Sequence, residues 1–193
     1  TTVTSAFTYT SGTFNHNNGL MAFAIPSPAT GTVTPGAASF YDVLFDYPGN
    51  SGANAIWNLG SDMTVSRNLY VQNTNLSGTA GSITVQSSIS GTPRTITIGG
   101  DLTYASTSQT GAITFGGSTT NKIAVNIGGN FNMLDAGATG HNATTTFNGT
   151  STQTITKTNG NITSSSGVVI AKTSGQAILA STFSYSGSLS IAT

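Results

Sequence analysis

Thr95-Ile-Thr-Ile-Gly-Gly-Asp-Leu-Thr-Tyr104 and Ala124-Val-Asn-Ile-Gly-Gly-Asn-Phe-Asn-Met133 are near copies of one another. Each is an alternating strand, a Gly-Gly corner, one short polar residue and a second alternating strand. A unit of this kind cannot bury its apolar face alone, so repetition implies stacking of one supersecondary element. Period two assigns Ile96, Ile98, Leu102 and Tyr104 of the first copy, and Val125, Ile127, Phe131 and Met133 of the second, to the inside. The Gly-Gly pair is read as a corner whose backbone conformation a β-carbon would forbid. Asp101 and Asn130 follow it at equivalent positions, where a short side chain can bond nearby amides. Like residues stacked in this way form ladders.

Reading outward, Ser66-Arg-Asn-Leu-Tyr-Val71 resembles the second half of the unit, and Phe183-Ser-Tyr-Ser-Gly-Ser-Leu-Ser-Ile191 resembles the whole. Phe115-Gly-Gly-Ser-Thr-Thr-Asn-Lys-Ile123 and Phe147-Asn-Gly-Thr-Ser-Thr-Gln-Thr-Ile155 form a companion pair with the same Phe-to-Ile spacing. These distances predict an all-β parallel β-solenoid with coils of roughly 30 residues. The alternative is a β-sandwich with an exchanged terminal strand, which also has short strands and regular turns. The solenoid is preferred because the repeats match position by position and the turns are mostly not two-residue hairpins. Residues 1–193 are read as one β-rich domain. Within it, 1–37 is an irregular N-terminal strand and a loop carrying Pro26, Pro28 and Pro35, and 38–193 are repeat coils.

Composition narrows the function. The 193 residues are 36% hydrophobic and only 5% charged, with five cations balancing five Asp and no Glu. Ordinary soluble domains are about 25% charged. Disordered chains combine low hydrophobicity with high net charge, so this one is expected to fold. Zero net charge argues against nucleic acid as a partner. No apolar run approaches the ~18 residues of a transmembrane helix. Cysteine is absent, and the Thr/Ser/Asn-rich, almost charge-free surface points to an extracellular or cell-surface location.

Gly12-Thr-Phe-Asn-His-Asn-Asn-Gly19, Phe40-Tyr-Asp-Val-Leu44, the Gly99-Gly-Asp-Leu102 corner and the Phe147–Ile155 string resemble a pattern of repetitive bacterial surface proteins. These are the β-helical, adhesin-like secreted proteins of Bacteroidota-type bacteria. The resemblance implies an extracellular structural or adhesive role and carries no catalytic residues.

Chemistry-bearing residues are few. Asp42 and Asp46 share a strand face by their even spacing, but Asp46 before Tyr-Pro-Gly reads as a turn cap. Asp101 is replaced by Asn130 in the other copy, which could not act as an acid. His16 and His141 sit in Asn- and Gly-rich strings and are read as exposed, with no metal-ligand spacing. No cofactor is expected. Calcium is the one ion that corner Asp and carbonyl oxygens could hold, though the Gly-Gly-x-Gly-x-Asp repeat is not matched. Tyr9, Phe14, Phe40, Tyr41, Phe45, Tyr47 and Trp57 crowd the first third. They read as core filling before a sugar-stacking platform. The triplets Thr95/Thr97, Thr144/Thr146 and Thr154/Thr156 read as sheet propensity before an ice-binding face.

The expectation is therefore a non-enzymatic extracellular structural protein, a segment of a surface adhesin or a subunit of a cell-surface filament. Its partner would be itself, with surface glycans as a further candidate. The terminal strands lack the charge or proline that blunts sheet edges. Self-assembly is accordingly assigned to Thr1, Val3, Phe7, Tyr9, Phe183, Tyr185, Leu189 and Ile191. The alternative is a carbohydrate-binding or carbohydrate-cleaving β-helix.

Overall fold

A computed structural model describes residues 1–49, 52–74, 81–106, 112–117, 120–134, 139–158, 162–163, 167–182 and 185–192. Their strands build three parallel sheets. The first contains Thr2–Val3, Leu20–Ala24, Asp42–Asp46, Leu69–Asn73, Leu102–Ser106, Phe131–Met133, Gln153–Lys157 and Ala177–Leu179. The second contains Ala6–Thr8, Thr30–Thr34, Ala55–Leu59, Ile83–Ser87, Ile113–Phe115 and Thr139–His141. The third runs from Ser39–Phe40 through Met63–Val65, Arg94–Ile98, Ile123–Ile127, Thr144–Phe147 and Val168–Ile170 to Leu189–Ile191. A short extra pair joins Ile162–Thr163 to Tyr185–Ser186. The chain visits the sheets in turn, and each strand pairs with its equivalent one coil away. Every pairing is parallel, as in Leu102↔Phe131 and Ile98↔Ile127. A sandwich needs antiparallel neighbours. The fold is a β-solenoid.

Both halves of the Gly-Gly unit stack in register, and all eight of its assigned inward side chains are buried. Ser66–Val71 is a true partial copy, since Leu69 pairs with Leu102. Inside, residues form columns along the axis. One runs Phe23, Phe45, Val71, Tyr104 and Met133, and another Phe40, Val65, Ile98, Ile127 and Phe147. Buried on both flanks by neighbouring coils, each large apolar residue contributes about 1.5–3 kcal/mol.

The corner glycines are required for a reason other than backbone conformation. Gly99 and Gly128 are absent from the residues with positive φ. A Cβ on Gly99 would lie 2.3 Å from the Ser66 carbonyl oxygen, and one on Gly128 2.5 Å from that of Gly99. The pair lets one coil settle directly onto the backbone of the last.

Three expectations change, and coil length varies around the expected value of roughly 30 residues. Paired core residues are 22 apart from Phe23 to Phe45 and 26 apart from Phe45 to Val71. They are 33 apart from Val71 to Tyr104 and 29 from Tyr104 to Met133, but 24 from Met133 to Lys157. The companion Phe motif is not a structural repeat, because Phe115 lies in the second sheet and Phe147 in the third. Leu189–Ile191 pairs with Val168–Ile170 in the third sheet, so it matches the first half of the unit rather than the second. Finally, 26–37 is not all loop. Thr30–Thr34 is a strand paired with both neighbours, while Pro28 and Pro35 fall just outside it, where no ladder amide is needed. Gly31 in that strand makes room for Trp57, since its Cβ would sit 2.3 Å from the indole ring.

Candidate functional site

The scarce charges are the first place to seek chemistry. Asp42 Oδ1 accepts from Arg67 Nε at 2.8 Å and from the Asn68 amide at 3.0 Å, and Arg67 Nη2 bonds the other carboxylate oxygen. Burial raises the Asp42 pKa, but the Arg67 and Asn68 hydrogen bonds outweigh it and hold the carboxyl below its ordinary range. Asp46 accepts from the Thr74 amide at 3.2 Å, from Thr74 Oγ1 and from Gln72 Nε2. Here burial wins and the carboxyl titrates above its ordinary range. Asp62 Oδ1 accepts the Thr95 amide at 2.9 Å and Asp101 Oδ1 the Asn130 amide at 2.6 Å. Asp135 lies outside the described residues.

These four carboxylates share one role. Each bonds a backbone amide of the following coil. The Asn residues continue it: Asn68 Oδ1 accepts the Asp101 amide and Asn130 Oδ1 the Thr154 amide. Asp42, Asn68, Asp101 and Asn130 thus make a continuous corner ladder in which every oxygen holds the next rung. Asp46 is one of these inter-coil clamps, and it also accepts a backbone hydrogen bond from Tyr47, at the turn the sequence has it cap. Lys172 likewise donates to the carbonyls of Gly149 and Ser151 and to Gln153 Oε1. Among the described residues no three His or Asp side chains gather as a metal would need.

His141 departs most from expectation. It is buried, not exposed, because its strand pairs with Ile113–Phe115 and places it directly beyond Phe115 in an inner column. The imidazole stacks on Phe115 at 11°, with ring centroids 6.0 Å apart. Its Nδ1 lies 2.6 Å from Tyr104 Oη and its Nε2 2.5 Å from Thr145 Oγ1. Thr145 Oγ1 donates to the Ala143 carbonyl, so it accepts from Nε2–H, and Tyr104 O–H donates to Nδ1. Every polar atom of this network is satisfied by a neutral ring. Burial drives the His141 pKa down to about 3 and pushes Tyr104 well up. His16 is half-buried and stacks on Tyr41.

The crowded aromatics are mostly core: Phe40, Phe45, Tyr47 and Trp57 are buried, while Tyr41 keeps an outward, half-exposed ring. Thr95/Thr97 and Thr144/Thr146 share the third sheet but are separated by Ala124 and Asn126, and Thr154/Thr156 are on the first sheet. They make no continuous threonine array.

The residues assigned to assembly fall at the two ends. At the first coil, Thr1 is exposed and its amine donates to the Leu20 carbonyl. Val3 pairs with Phe23 and Phe7 with Val33, and Val3, Phe7 and Tyr9 are half-buried against the core. Phe14 covers this end, meeting Phe7, Tyr9 and Phe40 edge-on with centroids 5.2–6.1 Å apart. At the other end, large apolar side chains among the described residues are exposed. Leu189 is 62% and Ile191 70% exposed, and sequence reading missed Leu179, which is 60% exposed. These three, with Ile155, Val168, Ile170 and Ala177, line an apolar hollow of about 280 Å³. Phe183 and the Tyr185 side chain lie outside the described residues. Leu179 had no sequence signal beyond a short Ala-Ile-Leu run.

No family model matches the chain, and no curated protein or solved structure was found to match it.

Proposed function

We propose that the protein is a non-enzymatic extracellular scaffold, an adhesin segment or filament subunit, whose coils stack end to end between copies. The observation that carries this reading is the apolar edge of the last described coil. Val168–Ile170, Ala177–Leu179 and Leu189–Ile191 contain no charge and no proline, the usual guards of an open edge. Leu179 and Ile191 end two inner columns that are otherwise buried along the axis. The first coil offers the outer edges of Thr2–Val3 and Ala6–Thr8, beside the Phe14 ring that packs on Phe7 and Phe40. Two different surfaces meeting along one axis make a heterologous contact that does not close, which yields filaments rather than rings. The nearly ion-free surface fits a secreted setting. The inter-coil bonding of the four described carboxylates favours a scaffold over polysaccharide cleavage, which requires a pair of acid and base carboxyls.

The test is sedimentation velocity over a concentration series, comparing the native chain with Leu179→Asp/Ile191→Asp. Both side chains are exposed, so the substitutions leave the coil intact. The native chain is expected to polymerise and the variant to remain monomeric. A native chain that stays monomeric, or a variant that polymerises equally, overturns the proposal.

A further inference from the structure

The first coil also carries a cleft beside the end at which stacking is proposed. It opens beside the loop 14–19 with a volume of about 440 Å³, within the ~300–1,000 Å³ usual for small-ligand sites. Phe14, Phe40, Leu20 and Met21 give it an apolar wall, and Asn15, His16, Asn17 and Tyr41 a polar one. Leu20 is 45% exposed there.

The polar wall is held in place before any ligand arrives. Asn15 Oδ1 accepts the Asn17 amide at 3.0 Å, His16 Nδ1 accepts the Asn18 amide at 3.0 Å, and Gly19 N–H bonds the His16 carbonyl. Asn17 and Asn18 adopt φ of 48° and 52°, conformations that Asn tolerates better than most residues. Because Nδ1 accepts the Asn18 amide, Nε2 carries the ring proton and can donate. The Asn15 Nδ2 amide and both ends of the Asn17 amide add donors and acceptors. Tyr41 is braced by His16, stacked at 5.5 Å, and by the Arg67 guanidinium, 4.6 Å from its ring centroid.

The cleft also carries little charge. No carboxylate, Lys or Arg side chain lines it; its one charged group is the Thr1 ammonium, which donates to the Leu20 carbonyl, and the nearby Arg67 is paired with Asp42. A phosphate or sulfate would find no side-chain cation on this lining. What fits is a neutral ligand with apolar faces and several hydroxyls set around its edge.

We propose that this cleft binds a neutral oligosaccharide, its C–H faces against Phe14, Leu20 and Met21 and its hydroxyls on Asn15, His16 and Asn17.

The test uses the Leu179→Asp/Ile191→Asp chain, so that assembly does not obscure binding. This chain is applied to an array of neutral, sialylated and sulfated glycans, and hits are titrated calorimetrically. Binding to at least one neutral glycan is expected. Asn17→Gly keeps the backbone conformation while removing the amide, and His16→Phe keeps the stack on Tyr41 while removing the ring nitrogens. Each should weaken binding about tenfold or more with unchanged circular dichroism and melting. The proposal is overturned by the absence of any neutral glycan hit at about millimolar concentration. Binding only to acidic glycans, or binding that neither substitution weakens, overturns it equally.

Discussion

The His141 network makes the protein's stability respond to acid in a way that can be calculated. In the unfolded chain this imidazole titrates near 6.5, while burial brings it to about 3 in the fold. Between those values the unfolded state binds a proton that the native state refuses. Stability is therefore full above pH 6.5 and lost as pH falls toward 3, by about 1.4 kcal/mol per unit. At pH 5 the loss is about 2 kcal/mol. The physical reason is burial, which strips a charged imidazolium of its hydration in the core. The perturbation is His141→Phe, which can continue the stack on Phe115 but cannot titrate. It leaves Tyr104 and Thr145 short of a partner, at about 1–3 kcal/mol. The variant is thus weaker at pH 7, yet its stability should fall less on acidification. Trp57, the single tryptophan and fully buried, reports urea unfolding at each pH. Subtracting the two pH profiles removes the contributions of Asp42 and Asp46, which are common to both. The difference should narrow by ~1.4 kcal/mol per unit below pH 6.5. Parallel profiles, or an NMR titration of His141 near 6.5, would refute the reasoning.

The corner ladder predicts that Asn68→Ala, which strips the acceptor from the Asp101 amide, costs about 1–3 kcal/mol. Asp101→Asn keeps the same acceptor and should change urea stability by less than about 0.5 kcal/mol. Gly31→Ala drives a methyl group into the Trp57 ring and the Ser5 carbonyl, and should cost at least about 1–3 kcal/mol. Its tryptophan emission should also shift, because the indole must move.

The parts of the fold visible in sequence are those where local pattern and stacking agree. Alternation placed Ile96 through Met133 inward because period two is a property of the strand itself. The Asp101–Asn130 equivalence pointed correctly to a ladder, since only a side-chain oxygen is needed at that position. Coil length varies from turn to turn because corners absorb or shed residues, and the Phe115 and Phe147 strings are alike without being stacked. His141 was hidden for a related reason. Nothing in Gly140-His-Asn142 marks an interior residue, and its place follows only from the register that sets it beyond Trp57, Val85 and Phe115. The exposed Leu179 and the cleft around Asn17 are products of three-dimensional closure, where separate coils meet.

The claim that copies stack coil upon coil is tested most directly by electron microscopy of the unsubstituted 193-residue chain. Eight strands of the first sheet, at about 4.8 Å each, give an axial subunit repeat of roughly 38 Å. Unbranched filaments with that repeat, and strands perpendicular to the axis, are the expected result. Isolated particles, or filaments whose strands run along the axis, would contradict end-to-end stacking.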